Sequence, residues 1–293
     1  MKKIFYVFTA LVLFTLASCS STDDYYADVD YSNILQSYDL WEIDHSRTYG
    51  AGAVPFLDKA ITITFSRGTL FANNNFSGLG YVGNGFGIDV GYYKLGYNSV
   101  EVTHDLDGRY FLELISVNQN QIQLYDRNQR VTYVLNGYYK NDYNYEYVVY
   151  NNVGLLLQEF VAWRKISAEG GVPNLFDEEN FLGFETFNNE FVSSNSPLNT
   201  PINYIDWNYG GFYYVSNTNN FKIKRLQLQF PDGNENFELT LINNGYDDSI
   251  YLYHLSSGTN YVFMGDGYIQ FMRSQKDADS QPKQAKRVVS KRR

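Results

Sequence analysis

Apolar and polar residues alternate one by one through much of the chain. Ala60-Ile61-Thr62-Ile63-Thr64-Phe65 does so, as do Phe111-Leu112-Glu113-Leu114-Ile115, Leu226-Gln227-Leu228-Gln229-Phe230 and Phe237-Glu238-Leu239-Thr240-Leu241. A period of two puts one face of a strand in a core and the other in water, the pattern of antiparallel sheet. Between these runs stand Asn-Gly at 84–85, 136–137 and 244–245, and Asp-Gly at 107–108, 232–233 and 266–267. Both dipeptides accept the positive φ of tight hairpin turns. Short strands joined by hairpins must hide their edges, and closing into a barrel does so.

One segment breaks the alternation. Val153 to Ser167 carries Leu156, Leu157, Phe160, Val161 and Arg164 at helical spacing and stops before Gly170-Gly171 and Pro173. The spacing predicts a helix of about four turns.

On either side of it the chain repeats itself. Asp107-Gly108 matches Asp232-Gly233, Glu113-Leu114 matches Glu238-Leu239, and Val117-Asn118 matches Ile242-Asn243. Further on, Ile122, Leu124 and Tyr125 match Ile250, Leu252 and Tyr253, and Tyr133-Val134 matches Tyr261-Val262. The offset is 125 residues at first and 128 later, so one loop has gained three residues. The expected fold is therefore all-β: two tandem antiparallel meander units, barrels or sandwiches, at 35–150 and 175–272, joined by a helix and loop at 151–174.

Composition agrees. Of 293 residues, 44% are hydrophobic and 19% charged, enough apolar content for a packed core. Aromatics reach 18%, with 28 Tyr, which favours strands over helices. The net charge is −9, unevenly spread. The first 18 residues carry two positive charges and residues 273–293 carry eight basic and two acidic ones, leaving −17 for residues 19–272. A body that acidic repels phosphate backbones, so nucleic acid is not an expected partner. Residues 273–293 read as a disordered basic tail.

The start of the chain reads as an address. Lys2 and Lys3 precede an uncharged apolar run from Ile4 to Leu16, followed by Ala17 and Ser18: a secretory signal over 1–18. Leu16-Ala17-Ser18-Cys19 resembles a bacterial lipobox, which implies that Cys19 is acylated and begins the mature protein, with 19–34 as a lipidated tether. Acyl chains anchor firmly, at about 0.8 kcal/mol per buried methylene. Ser20, Ser21, Thr22, Asp23 and Asp24 resemble the acidic export signal of Bacteroidota surface lipoproteins, implying an outer-membrane protein facing the cell exterior. Cys19 is the single cysteine, so disulfides, thiolate catalysis and cysteine metal sites are not expected.

Tyr38-Asp39-Leu40-Trp41-Glu42-Ile43, an early tryptophan ahead of a meander, resembles lipocalin-like (calycin) domains. Asp39-Leu40-Trp41, His104-Asp105-Leu106-Asp107-Gly108 and Gln158-Glu159-Phe160-Val161-Ala162-Trp163 resemble a group of Bacteroidota lipoproteins. Some of that group carry the label nicotinic acid mononucleotide adenylyltransferase. That class needs His-x-Gly-His on alternating strands and helices, and His45, His104 and His254 form no such pattern.

No residue set stands out as catalytic or metal-binding. Gly78-Leu79-Gly80-Tyr81-Val82-Gly83 spells G-x-G-x-x-G, but turn and strand signals follow it where a dinucleotide site needs a helix. Asp44-His45-Ser46 sets triad residue types side by side, where they cannot take triad geometry. His104 to Gly108 reads as a hairpin turn, because its repeat partner keeps Asp-Gly and drops the histidine. The aromatics remain: Tyr139, Tyr143 and Tyr145 in one crowd, and Trp207, Tyr209 and Tyr213 in another. Such side chains stack on sugars or grip apolar molecules, and they equally fill β cores. The expected function is ligand binding without catalysis or cofactor, the ligand being a glycan or small apolar molecule. A structural or adhesion role, docking other envelope proteins, is the alternative, and an enzyme is the third.

Overall fold

The computed structural model describes residues 31–269 apart from 186, 187, 243, 244 and 246. The signal, Cys19, Ser20, Ser21, Thr22, Asp23, Asp24 and the basic tail lie outside the described residues.

The first unit is a closed barrel of eight antiparallel strands: β1 (Leu40–Gly50), β2 (Thr62–Ser66), β3 (Thr69–Asn73), β4 (Ile88–Leu95), β5 (Ser99–His104), β6 (Gly108–Asn118), β7 (Gln121–Asp126) and β8 (Val131–Tyr138). Each strand pairs with the next, and β8 returns to β1. The second unit repeats this with β9 (Phe160–Glu169), β10 (Phe181–Phe184), β11 (Glu190–Ser194), β12 (Tyr209–Asn217), β13 (Lys224–Phe230), β14 (Gly233–Leu241), β15 (Ser249–His254) and β16 (Asn260–Tyr268), closed by β16 on β9. Both units are barrels and neither is a sandwich. Closure leaves no sheet edge unpaired.

Strand register follows the sequence repeat. Leu112 faces Asp126 across β6 and β7, and Phe237 faces His254 across β14 and β15. Leu124 faces Tyr133, and Leu252 faces Tyr261. The repeat also extends to the first strands, where sequence comparison misses it. Trp41 pairs with Gly137 and Trp163 with Gly265. The Trp41 indole N–H donates to the Leu35 carbonyl at 3.0 Å, and that of Trp163 to Leu157 at 2.8 Å, six residues back in each case. An aromatic ring three residues earlier meets each indole edge to face, Tyr38 at 5.3 Å and Phe160 at 4.8 Å. That ring covers the paired glycine: a Cβ on Gly137 would lie 2.5 Å from Tyr38, and one on Gly265 2.4 Å from Phe160. Gly137 thus has a place inside β8, and Asn136-Gly137 forms no hairpin; Asp266-Gly267 likewise lies inside β16, with Asp266 paired to Ala162, whereas Asp107-Gly108 and Asp232-Gly233 are true turns.

The helix expected over 153–167 is mostly absent. Four short helices are present among the described residues: α1 (Tyr31–Gln36), α2 (Pro55–Lys59), α3 (Tyr145–Asn151) and α4 (Val153–Leu157). After α4 the chain turns into β9, so the first strand of the second barrel lies within the segment read as a connection. Apolar spacing of three and four fits one long helix or a single turn followed by a strand equally well. Pairing decides it, because β9 is hydrogen-bonded to β10 on one side and β16 on the other. α1 and α4 are the same element in the two repeats, each supplying the carbonyl that accepts from its tryptophan.

Each lumen is filled by its own side chains. Trp41, Phe56, Leu57, Leu70 and Tyr133 occupy the first, and Trp163, Phe176, Phe237, Tyr261 and Phe263 the second, all fully buried. One end of each barrel carries a tyrosine–aspartate bond: Tyr133 to Asp58 of α2, and Tyr261 to Asp177 of the 3-10 turn Leu175–Glu178. Burial pushes the Tyr261 hydroxyl up to about 12, and Asp177 adds to the effect.

The two barrels share one compact unit and a joint. Leu79, Phe76 and Ile61 of the first barrel pack into the core cluster of the second. Glu159, just before β9, is buried, and its carboxylate accepts the N–H groups of Phe76 at 2.6 Å and Ser77 at 2.8 Å. Asn75 donates to the Ile269 carbonyl at 2.9 Å. The β3–β4 connection is thereby pinned to the base of the second barrel. Burial pushes the Glu159 carboxyl up to about 8 against the opposing pull of those two N–H groups.

Candidate functional site

The joint leaves a cleft of about 380 Å³, inside the usual range of small-molecule sites. Three segments far apart in sequence build it. Leu79, Gly80 and Tyr81 come from the β3–β4 connection; Tyr143, Asn144, Tyr145, Glu146, Val149 and Tyr150 from the link between barrels and from α3; Asp247 from the β14–β15 loop.

Local structure fixes the wall contributed by α3. The Asn144 side chain caps the helix by accepting the Tyr147 N–H at 3.0 Å. Tyr143 and Tyr145 then meet edge to face, 4.8 Å apart at 81°. Tyr138 backs Tyr143 at 5.1 Å. The Tyr145 hydroxyl donates to the Gly85 carbonyl at 3.4 Å. Gly80 lies against the Tyr145 ring, and its φ of +89° suits a residue without a Cβ. Tyr143 is 6% exposed, and its hydroxyl has no hydrogen-bond partner among the described residues.

The cleft is electronegative. Among the described residues its carboxylates are Glu146 and Asp247, and no Lys, Arg or His lines it. Lys222 reaches Glu146 from the rim at 2.6 Å. Asp247 is 8% exposed; burial first, then Asp248 and Glu146, push its carboxyl up to about 6. Burial also pushes the Tyr145 hydroxyl up to about 12.

The six aromatic candidates separate. Tyr143 and Tyr145 line the cleft. Tyr139 does not line it; it is exposed and tilts onto Tyr38 at 5.2 Å. Trp207 packs against Ala162, Phe181 and Ile205, and Tyr209 packs against the second core. Tyr213 is buried, meets Phe184 edge to face at 4.9 Å, and accepts from Gln158 at 2.6 Å. Trp207, Tyr209 and Tyr213 therefore belong to the packing of the second barrel and do not line the cleft.

The histidines are structural. His45 bonds the Ala60 carbonyl at 2.9 Å. His104 accepts the Asp107 N–H at 3.1 Å and stacks on Phe56, with burial holding its pKa below the usual histidine value. His254 shows a triad-like order, with Nδ1 2.8 Å from Ser257 and Nε2 2.9 Å from Glu235. Ser257 is not a poised nucleophile, however. Its oxygen accepts the Thr259 N–H at 3.2 Å and shares a hydrogen bond with the Thr259 hydroxyl at 2.8 Å, which ties it into the hairpin, and the Ser256 hydroxyl lies 3.0 Å from His254 Nε2. Among the described residues no group of three His, Cys, Asp or Glu side chains could hold a metal ion.

No protein-family model matches the chain, and a search of curated proteins finds none with significant similarity.

Proposed function

We propose that the protein is a lipid-anchored envelope protein, facing outward from an outer membrane, that binds a small molecule in the cleft between its barrels and leaves it chemically unchanged. The cleft carries this reading: it is walled by Tyr81, Tyr143, Tyr145 and Tyr150, while both lumens are filled by their own cores. Tyrosine offers a flat apolar face with a polar tip, suited to a sugar ring or an apolar molecule. Leu16-Ala17-Ser18-Cys19 and the acidic run Ser20 to Asp24 support the anchor and the outward address. The reading without catalysis leans on the Ser257 hydroxyl beside His254, which is tied to Thr259 in the hairpin.

A thermal-shift screen of the detergent-solubilised full chain against a glycan and metabolite library tests it. The expected result is a compound that raises the melting temperature of the native protein and not of Tyr145→Ala. Equal stabilisation of both proteins, or no stabilising compound, overturns it.

Docking of other envelope proteins draws on a different observation: Phe212 and Tyr214 alternate outward from β12, each about half exposed. Recovery of an envelope protein by the native chain but not by a Phe212→Ala, Tyr214→Ala double variant would favour that role.

A further inference from the structure

Carboxylates and tyrosine rings share the cleft, with no basic side chain in its lining among the described residues, and this narrows what it can hold. An anionic ligand would have to desolvate beside Glu146 and the buried Asp247 with no cation in the lining to receive it. A neutral glycan would call for several convergent donors and acceptors. Yet Asn144 Oδ1 caps α3 and the Tyr145 hydroxyl donates to Gly85, so beside the carboxylates the Tyr143 hydroxyl is the buried lining group left without a partner among the described residues, fewer than a sugar's several hydroxyls call for. What the walls do supply is negative charge and aromatic rings, and a carboxylate or a ring face attracts positive charge.

We infer that the cleft binds an organic cation, a primary amine or a quaternary ammonium, with its charge at Asp247 and its carbon body against Tyr81, Tyr143, Tyr145 and Tyr150. This rests on the cleft being the binding site. The inference stands on a cavity with four tyrosines in its wall. It also stands on the crowding of Asp247 by Glu146 and Asp248, two like charges that an arriving cation would offset. The body of the protein, net −17 once the +2 of residues 1–18 and the net +6 of residues 273–293 are set apart, would draw a cation toward the site as well.

Isothermal titration of the solubilised full chain with choline and spermidine tests this, with 3,3-dimethylbutanol as the neutral isostere of choline and benzoate as an anion. At least one cation is expected to bind roughly tenfold more tightly than the isostere, a difference of about 1.4 kcal/mol. Asp247→Asn is expected to remove that preference. Asparagine tolerates the positive φ of 51° at this position, so the variant keeps the loop. Tyr145→Ala is expected to abolish binding of cation and isostere together. If the isostere or benzoate binds as tightly as the cations and Tyr145→Ala abolishes it, the cation inference falls and the cleft stands. If a cation binds and Tyr145→Ala has no effect, the cleft itself is wrong. If neither cation binds at about 1 mM, the inference is overturned.

Discussion

Gly80 sits against the ring of Tyr145: a Cβ built on Gly80 would lie 2.8 Å from Tyr145 Cγ. Two walls of the cleft, one from each side of the joint, therefore touch at a point that tolerates no side chain. Gly80→Ala should displace Tyr145 into the cleft and also strain a backbone held at φ +89°, costing about 1–3 kcal/mol. The expected outcome is a lower melting temperature together with loss of ligand binding. Retained affinity in a destabilised Gly80→Ala protein would show that Tyr145 does not shape the site.

Glu159 makes the joint sensitive to pH. Its folded-state pKa of about 8 lies above the ordinary 4.5 of a glutamate. Between those values the folded protein holds a proton that the unfolded chain releases, so stability at this site falls as pH rises through the window. The effect is on the order of 5 kcal/mol over the full window. Glu159→Gln cannot titrate, so the stability of the native protein relative to this variant should decline from pH 5 to pH 8 in urea titrations. Parallel profiles for the two proteins would contradict the assignment.

The matched tyrosine–aspartate bonds are expected to differ in worth. Tyr133 also accepts the N–H of the fully buried Val54 at 2.9 Å. Tyr133→Phe strands that donor, at about 1–3 kcal/mol. Tyr261→Phe leaves Asp177 with the Asn174 backbone and side-chain donors at 2.8 and 3.1 Å, and should cost nearer 1 kcal/mol. Chemical denaturation ranks the two variants, and the reverse order would refute this account of the barrel ends.

Much of the architecture was readable from pattern. Alternation marked the strands, and the matches from Asp107-Gly108 onward placed β6 to β8 on β14 to β16. The first strands escaped because their likeness rests on few positions: an accepting carbonyl at Leu35 or Leu157, an aromatic at 38 or 160, and a tryptophan. That thin signal was masked by helical spacing across Val153 to Ser167. Of the candidate site, Tyr143 and Tyr145 stood out through local crowding. Leu79, Tyr81, Tyr150 and Asp247 did not, because the joint built by Glu159 and Asn75 brings their segments together and no local pattern encodes it. The run Gly78 to Gly83 was conspicuous for the wrong chemistry: its glycines shape a loop against tyrosine rings.

The proposed address rests on Cys19. Cys19→Ala should move the protein from the membrane fraction to the soluble fraction, and protease added to intact cells should degrade the native form. Membrane retention of the variant would refute the lipid anchor, and protection from protease would refute the outward face.

The central claim is that a small molecule occupies the cleft between the barrels. Ring-labelled tyrosine NMR of the full chain, titrated with a compound that stabilises it, tests that claim most directly. The account predicts that resonances of Tyr81, Tyr143, Tyr145 and Tyr150 shift together and saturate with a single affinity, while Tyr139, Tyr209 and Tyr213 stay in place. Shifts confined to Tyr139, Tyr209 or Tyr213, with the four cleft tyrosines unmoved, would contradict it.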